Sequence, residues 1–395
     1  MNSSLSSSGL LEHRQQFSGL NNKTYFNFGG QGTMPDVALA AIIDTHKYIQ
    51  QVGPFSGSIN TWLTAKVATL RQAIASELQT PPETITLTEN VTAGCNIALW
   101  GIEWQSGEQI LMTDCEHPGI IATVNEIARR FGVEVAICPI MATLNQGDPV
   151  AVIESYLTPN TRMVVLSHLL WNTGQVLPLK EITQVCHDYP ASKTIRVMVD
   201  AAQSVGLLPL HLPDLGVDYY AFTGHKWLCG PAGVGGLYVS PAAFDELQPT
   251  FIGWRGVEID SQGKPIAWKQ DGSKYEVATT AYPEYEGLNQ AIALHQTYGD
   301  SQTRYQRICE LSQYLWKQLQ TLAGVTCLKQ TPPEAGLVSF QVAGVAHPKL
   351  VAQLEQQGFL LRTIADPDCI RACVHYLTLT EECDRLIATL KSILL

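Results

Sequence analysis

Two residues that could act together chemically each follow an apolar stretch of this sequence. Asp200 comes directly after the run 197–199, and Lys226 follows the run 219–222 after a short turn. Apolar runs rich in β-branched residues are typical of buried parallel strands. In open α/β sheets, ligand sites lie just beyond the carboxyl ends of the strands. We therefore expect the carboxylate and the amine to meet at one cleft.

A lysine amine and an aspartate at one cleft suit pyridoxal 5'-phosphate. The amine can form a Schiff base with the cofactor aldehyde, and an anion against the pyridine nitrogen keeps the ring protonated and able to accept electrons. Taken singly, Asp200 could cap a helix and Lys226 could be a solvated surface charge. Gln203 and His225 lie at short spacings from these two residues. The four residues together favour the functional interpretation.

Two further segments carry groups that this cofactor would need at the same edge. The small residues 92–94 precede a helix predicted over 95–100. A helix N-terminus offers free N–H groups and the positive end of the helix dipole, so it can hold a phosphate. His117 follows a strand predicted over 109–113, and a flat imidazole can stack on a pyridine ring. An ordinary capped helix and an ordinary loop histidine are the alternatives.

The elements that must position these groups indicate an α/β fold. Strands and helices alternate from Thr84 to Val239, which predicts a doubly wound, mostly parallel sheet. From Gly324 onward, shorter strands and helices indicate a smaller α+β domain. We expect three parts, which are an N-terminal arm over 1–22 that packs with the small domain, a large domain over 23–275 and a small C-terminal domain over 276–395.

Composition limits the classes of function. The chain has 395 residues, and its net charge of −11 argues against nucleic acid as a partner, because phosphate contacts need basic surfaces. No apolar run is long enough to predict a membrane span. The N-terminal sequence has no basic stretch followed by an apolar one, so we expect no signal peptide and a cytoplasmic protein. The ten cysteines form no CxxC pair, so no metal site is predicted.

Two segments give the sequence a family resemblance. VDAAQSVG at 199–206 and TGHKW at 223–227 resemble the cysteine desulfurase branch of the class V aminotransferases, which are pyridoxal phosphate enzymes of fold type I. The resemblance runs from about Tyr25 to the C-terminus. It implies a large domain with a mostly parallel, seven-stranded sheet and a smaller α+β C-terminal domain. Within this branch, the close resemblance is to cystine C–S lyases of the cyanobacterial type.

The resemblance implies a role for each residue that matches a family motif. Three catalytic residues are implied: Lys226 as the Schiff-base lysine, Asp200 as the partner of the ring nitrogen, and His117 as the histidine that stacks on the ring and shuttles protons. Gln203 corresponds to the donor to the phenolic oxygen. Contacts to the phosphate region are expected from Thr92, Ala93, Thr223 and His225 and, across a homodimer interface, from Thr279 of the partner subunit.

Two arginines are expected to bind the substrate. Arg371 corresponds to the family's arginine for the substrate carboxylate, and a guanidinium can pair bidentately with a carboxylate. Between Arg362 and Arg371, desulfurases carry a loop whose cysteine attacks the substrate sulfur. Here the segment RTIADPDCIRA is short and holds Cys369 without the pattern of that loop. Ala278 and the segment 171–173 also depart from the family, which has glycine and a Ser-Asn pair there.

The short segment favours β-elimination over desulfuration. We expect a lyase that cleaves cystine, and cysteine less well, to pyruvate, ammonia and cysteine persulfide or sulfide, with an apo iron–sulfur protein as a possible sulfur acceptor. Freed Lys226 would take the Cα proton, while Arg371 would hold the proximal carboxylate of cystine and Arg362 the distal one. The alternatives are a desulfurase that uses Cys369 and yields alanine, an enzyme for other β-substituted amino acids, and a non-catalytic pyridoxal phosphate-binding scaffold.

Overall fold

The computed structural model describes residues 7–394, so the first six residues of the predicted N-terminal arm lie outside the described residues. The helices are α1 Ser7–Arg14, α2 Asp36–Val52, α3 Gly57–Leu78, α4 Val91–Trp100, α5 Pro118–Phe131, α6 Pro149–Tyr156, α7 Leu179–Asp188, α8 Leu212–Leu215, α9 Tyr282–Tyr298, α10 Ser301–Leu319, α11 His347–Gln356 and α12 Thr380–Leu394. The strands are β1 Thr24–Tyr25, β2 Ile85–Thr88, β3 Gln109–Thr113, β4 Glu134–Cys138, β5 Thr161–Ser167, β6 Arg196–Asp200, β7 Tyr219–Thr223, β8 Gly235–Val239, β9 Val257–Ile259, β10 Pro265–Trp268, β11 Val325–Cys327, β12 Leu337–Val342, β13 Phe359–Leu360, β14 Arg362–Ala365 and β15 Asp368–Cys373.

A seven-stranded sheet forms the centre of the molecule, in the order β2-β8-β7-β6-β5-β3-β4. Only β8 runs antiparallel to its neighbours, β2 and β7. The strands are apolar almost without interruption because helices cover both faces. On β5, Met163 and Val165 pack towards α4 and α5, whereas Val164 and Leu166 pack towards α3 and α7. The predicted mostly parallel, seven-stranded sheet is confirmed.

A second, antiparallel sheet in the order β11-β12-β15-β14 follows α9 and α10. Its apolar side packs against α10, α11 and α12 in a separate hydrophobic cluster. The N-terminal segment reaches this part of the molecule, since β1 pairs with β13 and His13 Nε2 lies 3.0 Å from the Tyr376 hydroxyl. The division into 1–22, 23–275 and 276–395 stays a prediction.

Three local features differ from the sequence-based expectations. Helix α4 begins at Val91 rather than at residue 95, because the Asn90 side chain caps it by accepting from the Ala93 N–H. The segment 249–281, which reads as loop-rich, contains the exposed hairpin β9–β10. The segment between Arg362 and Arg371 is a hairpin, in which β14 and β15 are joined by residues 366–367 alone.

Within residues 7–394, no helix is long and apolar enough to cross a membrane. No group of three or more His, Cys, Asp or Glu side chains there is arranged to hold a metal ion.

Candidate active site

One pocket at the carboxyl ends of the parallel strands gathers seven of the predicted residues. Asp200 ends β6, Lys226 follows β7, and His117 begins the loop-to-helix junction after β3, so the topology of the sheet places them at the same edge. The predicted residues that line this pocket are Thr92, His117, Asp200, Gln203, Lys226, Arg362 and Arg371. Gly29, Ser167 and Trp171 complete part of its wall.

Lys226 lines the pocket, and its side chain is half-buried there. Burial lowers the pKa of Lys226 to about 8, with Arg371 and Arg362 adding to the decrease and Asp200 opposing it. Burial raises the pKa of Asp200, while the Ala202 N–H at 2.9 Å and the charges of Lys226 and His117 act in the opposite direction. An amine with a lowered pKa keeps a sizeable neutral fraction near neutral pH, which makes it a competent nucleophile and base.

The His117 ring is oriented by two contacts. Its Nδ1 accepts a hydrogen bond from the Gly119 N–H at 3.2 Å, which in the neutral ring leaves the proton on Nε2. The Trp171 ring lies edge-on to it, with centroids 5.8 Å apart and planes at 71°, and Trp171 Nε1 donates to the Cys115 carbonyl at 3.0 Å. Burial lowers the pKa of His117, so the ring is mainly neutral at physiological pH.

The Gln203 amide is fixed at both ends. Its Nε2 donates to the Gly29 carbonyl at 2.8 Å, and its Oε1 accepts from Trp227 Nε1 at 2.9 Å. A primary amide has two N–H groups, so one remains for a ligand. A Cβ atom at Gly29 would come within 2.8 Å of Cys373 Sγ and 2.9 Å of Gln203 Oε1, so only glycine fits this part of the wall.

The two arginines face each other across neighbouring strands. Arg362 on β14 and Arg371 on β15 are direct partners in the antiparallel register, which places both side chains on one face. Arg371 is buried and donates from Nη1 to the Trp171 carbonyl at 2.6 Å, but its Nε and Nη2 have no hydrogen-bond partner within the described part of the chain. Arg362 is exposed, and neither arginine has an ion-pair partner among residues 7–394. Two adjacent guanidinium groups with unused donors form a site for anions.

Thr92 lines this pocket, whereas the other predicted phosphate contacts, Ala93, Thr223, His225 and Thr279, lie around it. Thr92 is in the first turn of α4, and the Thr223 hydroxyl lies 2.6 Å from His225 Nδ1. The Ala93 N–H is already bonded to Asn90, and Ala93 lines a neighbouring cavity of about 560 Å³. Thr279 is exposed and lines that same cavity, so within one chain it does not reach the Lys226 pocket.

Cys369 is not a free nucleophile in this structure. It lies fully buried on β15, and burial raises the pKa of its thiol to about 12.

The turn at 366–367 is bonded to the loop that follows β5 in the large sheet, because Asn172 Nδ2 donates to the Asp366 carbonyl at 3.2 Å. Asn172 thus holds the β14–β15 hairpin and does not line the Lys226 pocket.

Sequence reasoning assigned no role to Ser167, which lines the pocket, or to Glu116, which is hydrogen-bonded to it. Glu116 is 4% exposed and accepts hydrogen bonds from the Thr113 hydroxyl at 2.6 Å and from the Ser167 N–H at 2.9 Å. Ser167 ends β5 and lines the pocket. The available signal was the position of Glu116 directly before His117 in the run CEHP.

Together, the α/β sheet, its edge pocket and the antiparallel C-terminal sheet define the class of protein. The chain belongs to the class V aminotransferase family, whose model matches residues 25–384. It is 54% identical to the cystine C–S lyase C-DES, solved in complex with its reaction product cysteine persulfide, over 95% of this chain and 99% of that one, with a TM-score of 0.94. A C-DES variant with glycine covalently linked to the PLP cofactor matches with the same identity and TM-score over 96% and 98% of the two chains.

Two curated proteins are more distantly similar to this chain. Isopenicillin N epimerase from Streptomyces clavuligerus is 27% identical over 341 residues, which are 82% of this chain and 83% of that protein. A probable cysteine desulfurase from Methanothermobacter thermautotrophicus is 26% identical over 366 residues, or 88% of each chain. The predicted family and the fold type I architecture are confirmed.

Proposed function

We propose that this protein is a pyridoxal 5'-phosphate-dependent carbon–sulfur β-lyase that cleaves L-cystine, and L-cysteine less well. The products are pyruvate, ammonia and cysteine persulfide from cystine, or sulfide from cysteine. The observation that carries the proposal is the pocket itself, which brings Lys226 and the buried Asp200 together with the register-paired arginines 362 and 371. The 54% identity with a cystine C–S lyase supports the same substrate.

The residues of the pocket suit the cofactor. When bound, pyridoxal 5'-phosphate supplies an aldehyde for the Lys226 amine and a protonated ring that accepts electrons from the substrate. Asp200 is the buried carboxylate for the pyridine nitrogen, Gln203 has one N–H for the phenolic oxygen, and the His117 ring is held at the pocket wall. The proposed phosphate contacts are Thr92 in the first turn of α4, the bonded pair Thr223–His225, and Ala93.

Lys226 is the proposed base. Its lowered pKa of about 8 allows the freed amine to take the Cα proton of the substrate. His117, neutral and with its Nε2 proton available, lies close enough to Lys226 for its pKa to respond to that charge, so we assign it to proton transfer in the same pocket.

The arginines are the proposed substrate anchors. Arg371, with two unused and buried N–H positions, would hold the carboxylate next to the reacting carbon. Arg362, exposed at the mouth of the pocket, would receive the distal carboxylate that cystine has and cysteine lacks. This difference accounts for a preference for cystine.

We also propose that the protein acts as a homodimer in the cytoplasm. Thr279 is exposed beside a cavity lined by Phe251 and Tyr285, and the apolar side chains of Phe251 and Trp254 are 71% and 54% exposed. An exposed apolar surface of this kind is typical of an interface, and a second copy would bring Thr279 to the phosphate. The released sulfane sulfur would serve an apo iron–sulfur protein.

Product analysis on cystine tests the proposal. The expected result is pyruvate, ammonia and cysteine persulfide in equal amounts, with water consumed, from the protein loaded with pyridoxal phosphate. A Lys226→Ala variant is the control and should give none of the three. Alanine in place of pyruvate would assign the protein to the desulfurases instead.

A further inference from the structure

A buried carboxyl group, that of Glu116, lies behind the pocket-lining Ser167 and has no part in the proposed reaction. Glu116 Oε1 accepts from the Thr113 hydroxyl and the Ser167 N–H, and its Oε2 lies 2.9 Å from Ser167 Oγ. In residues 7–394 no lysine or arginine pairs with this group. All of its hydrogen-bond partners are neutral, so nothing close by compensates a negative charge.

Glu116 competes for charge with the other buried acid, Asp200. Ser167, its hydrogen-bond partner, lies directly beside Asp200 in the parallel register of β5 and β6. Two carboxylates in one buried region are costly to ionise together, so the acid that ionises is the one whose negative charge is stabilised by nearby positive charges and hydrogen-bond donors. Asp200 faces the positive side of the pocket at Lys226 and accepts from the Ala202 N–H. The negative charge therefore belongs on Asp200.

We propose that Glu116 is a positioning residue whose carboxyl group carries a proton, and that it holds Ser167 beside Asp200 with the serine hydroxyl proton directed into the pocket. When Glu116 is protonated on Oε2, it donates to Ser167 Oγ, so the serine O–H is free to donate elsewhere. When Glu116 is ionised, the serine O–H donates to Oε2 and is no longer available to a group in the pocket. The proposal rests on the proposed function only in assigning Asp200 to the pyridine nitrogen.

Apart from Asp200, the titratable groups around Glu116 are neutral thiols. Its titratable neighbours are Cys115 in the same loop, Cys95 on α4, Cys138 on β4 and Asp200 on β6. Burial raises the pKa of all three thiols, so they stay neutral. Burial also raises the pKa of Glu116 to about 8, with the charge of Asp200 adding to the increase and the bonds from Thr113 and Ser167 opposing it.

Infrared difference spectroscopy on the apoprotein tests this assignment. Glu116→Gln is the informative variant, because its amide can donate to Ser167 Oγ as the protonated acid does but cannot titrate. In the wild type minus variant spectrum at pH 6.5, we expect the carbonyl stretch of one protonated carboxylic acid, which should disappear with a midpoint near pH 8. Glu89→Gln, which replaces an exposed acid after β2, is the matched control, and the spectrum of this variant should retain the same protonated-carboxyl band.

A second variant keeps the test decisive if the first one folds poorly. Ser167→Ala removes the contact to Oε2, and because that contact lowers the pKa of Glu116, the midpoint of the wild-type band should move to higher pH. Absence of a protonated carboxyl band at pH 6.5 would overturn the proposal, as would a midpoint that Ser167→Ala leaves unchanged. These measurements need neither cofactor nor cystine, so their failure and the failure of the lyase assignment are separate results.

Discussion

Replacing each of the two arginines by glutamine separates the proximal from the distal carboxylate site. Arg371 is 1% exposed and its Nε and Nη2 have no partner within the described chain, so both donors are available to a substrate carboxylate. Arg362 is exposed at the same pocket and meets solvent as well as substrate. The two substitutions should therefore differ both in size and in the substrates they affect.

The size of each effect follows from burial. A hydrogen bond to a charged group contributes about 1.5–3 kcal/mol, so loss of two at Arg371 should cost about 3–6 kcal/mol, or roughly 10²–10⁴-fold in kcat/KM. Exposed ion pairs contribute about 0.2–1 kcal/mol, so loss of Arg362 should cost up to about fivefold. Arg371→Gln should affect every amino acid substrate, and Arg362→Gln only those with a second carboxylate.

The assay compares pyruvate release from cystine and from β-chloroalanine, which has a single carboxylate. Arg129→Gln, which removes a guanidinium whose side chain is 68% exposed on α5, is the control for loss of a positive charge far from the pocket. Equal losses of Arg362→Gln on both substrates would refute the distal role. A loss below tenfold for Arg371→Gln would refute the proximal one.

Four further outcomes are expected. Cys369→Ser should keep pyruvate release from cystine within about twofold, because a thiol with a pKa near 12 is too little ionised to act as a nucleophile; loss of turnover would favour a desulfurase. Gly29→Ala should weaken cofactor binding by the apoprotein, since the new Cβ would lie 2.8 Å from Cys373 Sγ, and an unchanged dissociation constant would contradict that contact. Colour formation between the apoprotein and pyridoxal phosphate should accelerate about tenfold per pH unit up to pH 8 and level off above it, because only the neutral Lys226 amine reacts; a rate still rising at pH 10 would show an ordinary lysine. Burial raises the pKa of Glu116 to about 8, so the protonated side chain stabilises the folded state fully below about pH 4.3, and this stabilisation is lost as the pH rises to 8. Over that range, the free energy of unfolding of wild type, measured with urea, should fall by up to about 1.4 kcal/mol per pH unit relative to that of Glu116→Gln.

The buried parts of the fold could be predicted well from the sequence. The bounds expected for β3 are those observed, because a continuous apolar run leaves little choice. Asp200 and Lys226 could be placed together because strand ends in a parallel sheet share one edge. Arg362 and Arg371 could be expected at the site only through the family resemblance, since their meeting depends on the pairing of β14 with β15.

The remainder depended on contacts between distant residues. The hairpin β9–β10 was missed because its strands are short and largely exposed, so they show no clear apolar pattern. The start of α4 depended on the Asn90 cap, which the run of small residues after it concealed. Glu116 gave no sign of burial in the sequence, because its partners come from β3 and from β5, some fifty residues later.

The two-residue connection at 366–367 has a consequence for the fate of the sulfur atom. A connection of two residues between β14 and β15 is too short to form a mobile loop that could carry sulfur from the reacting carbon to another protein. Under the proposed reaction, the sulfane atom departs inside a small diffusible molecule. Delivery is then decided by collision and thiol exchange in the surrounding solution, and no docking between enzyme and recipient is required.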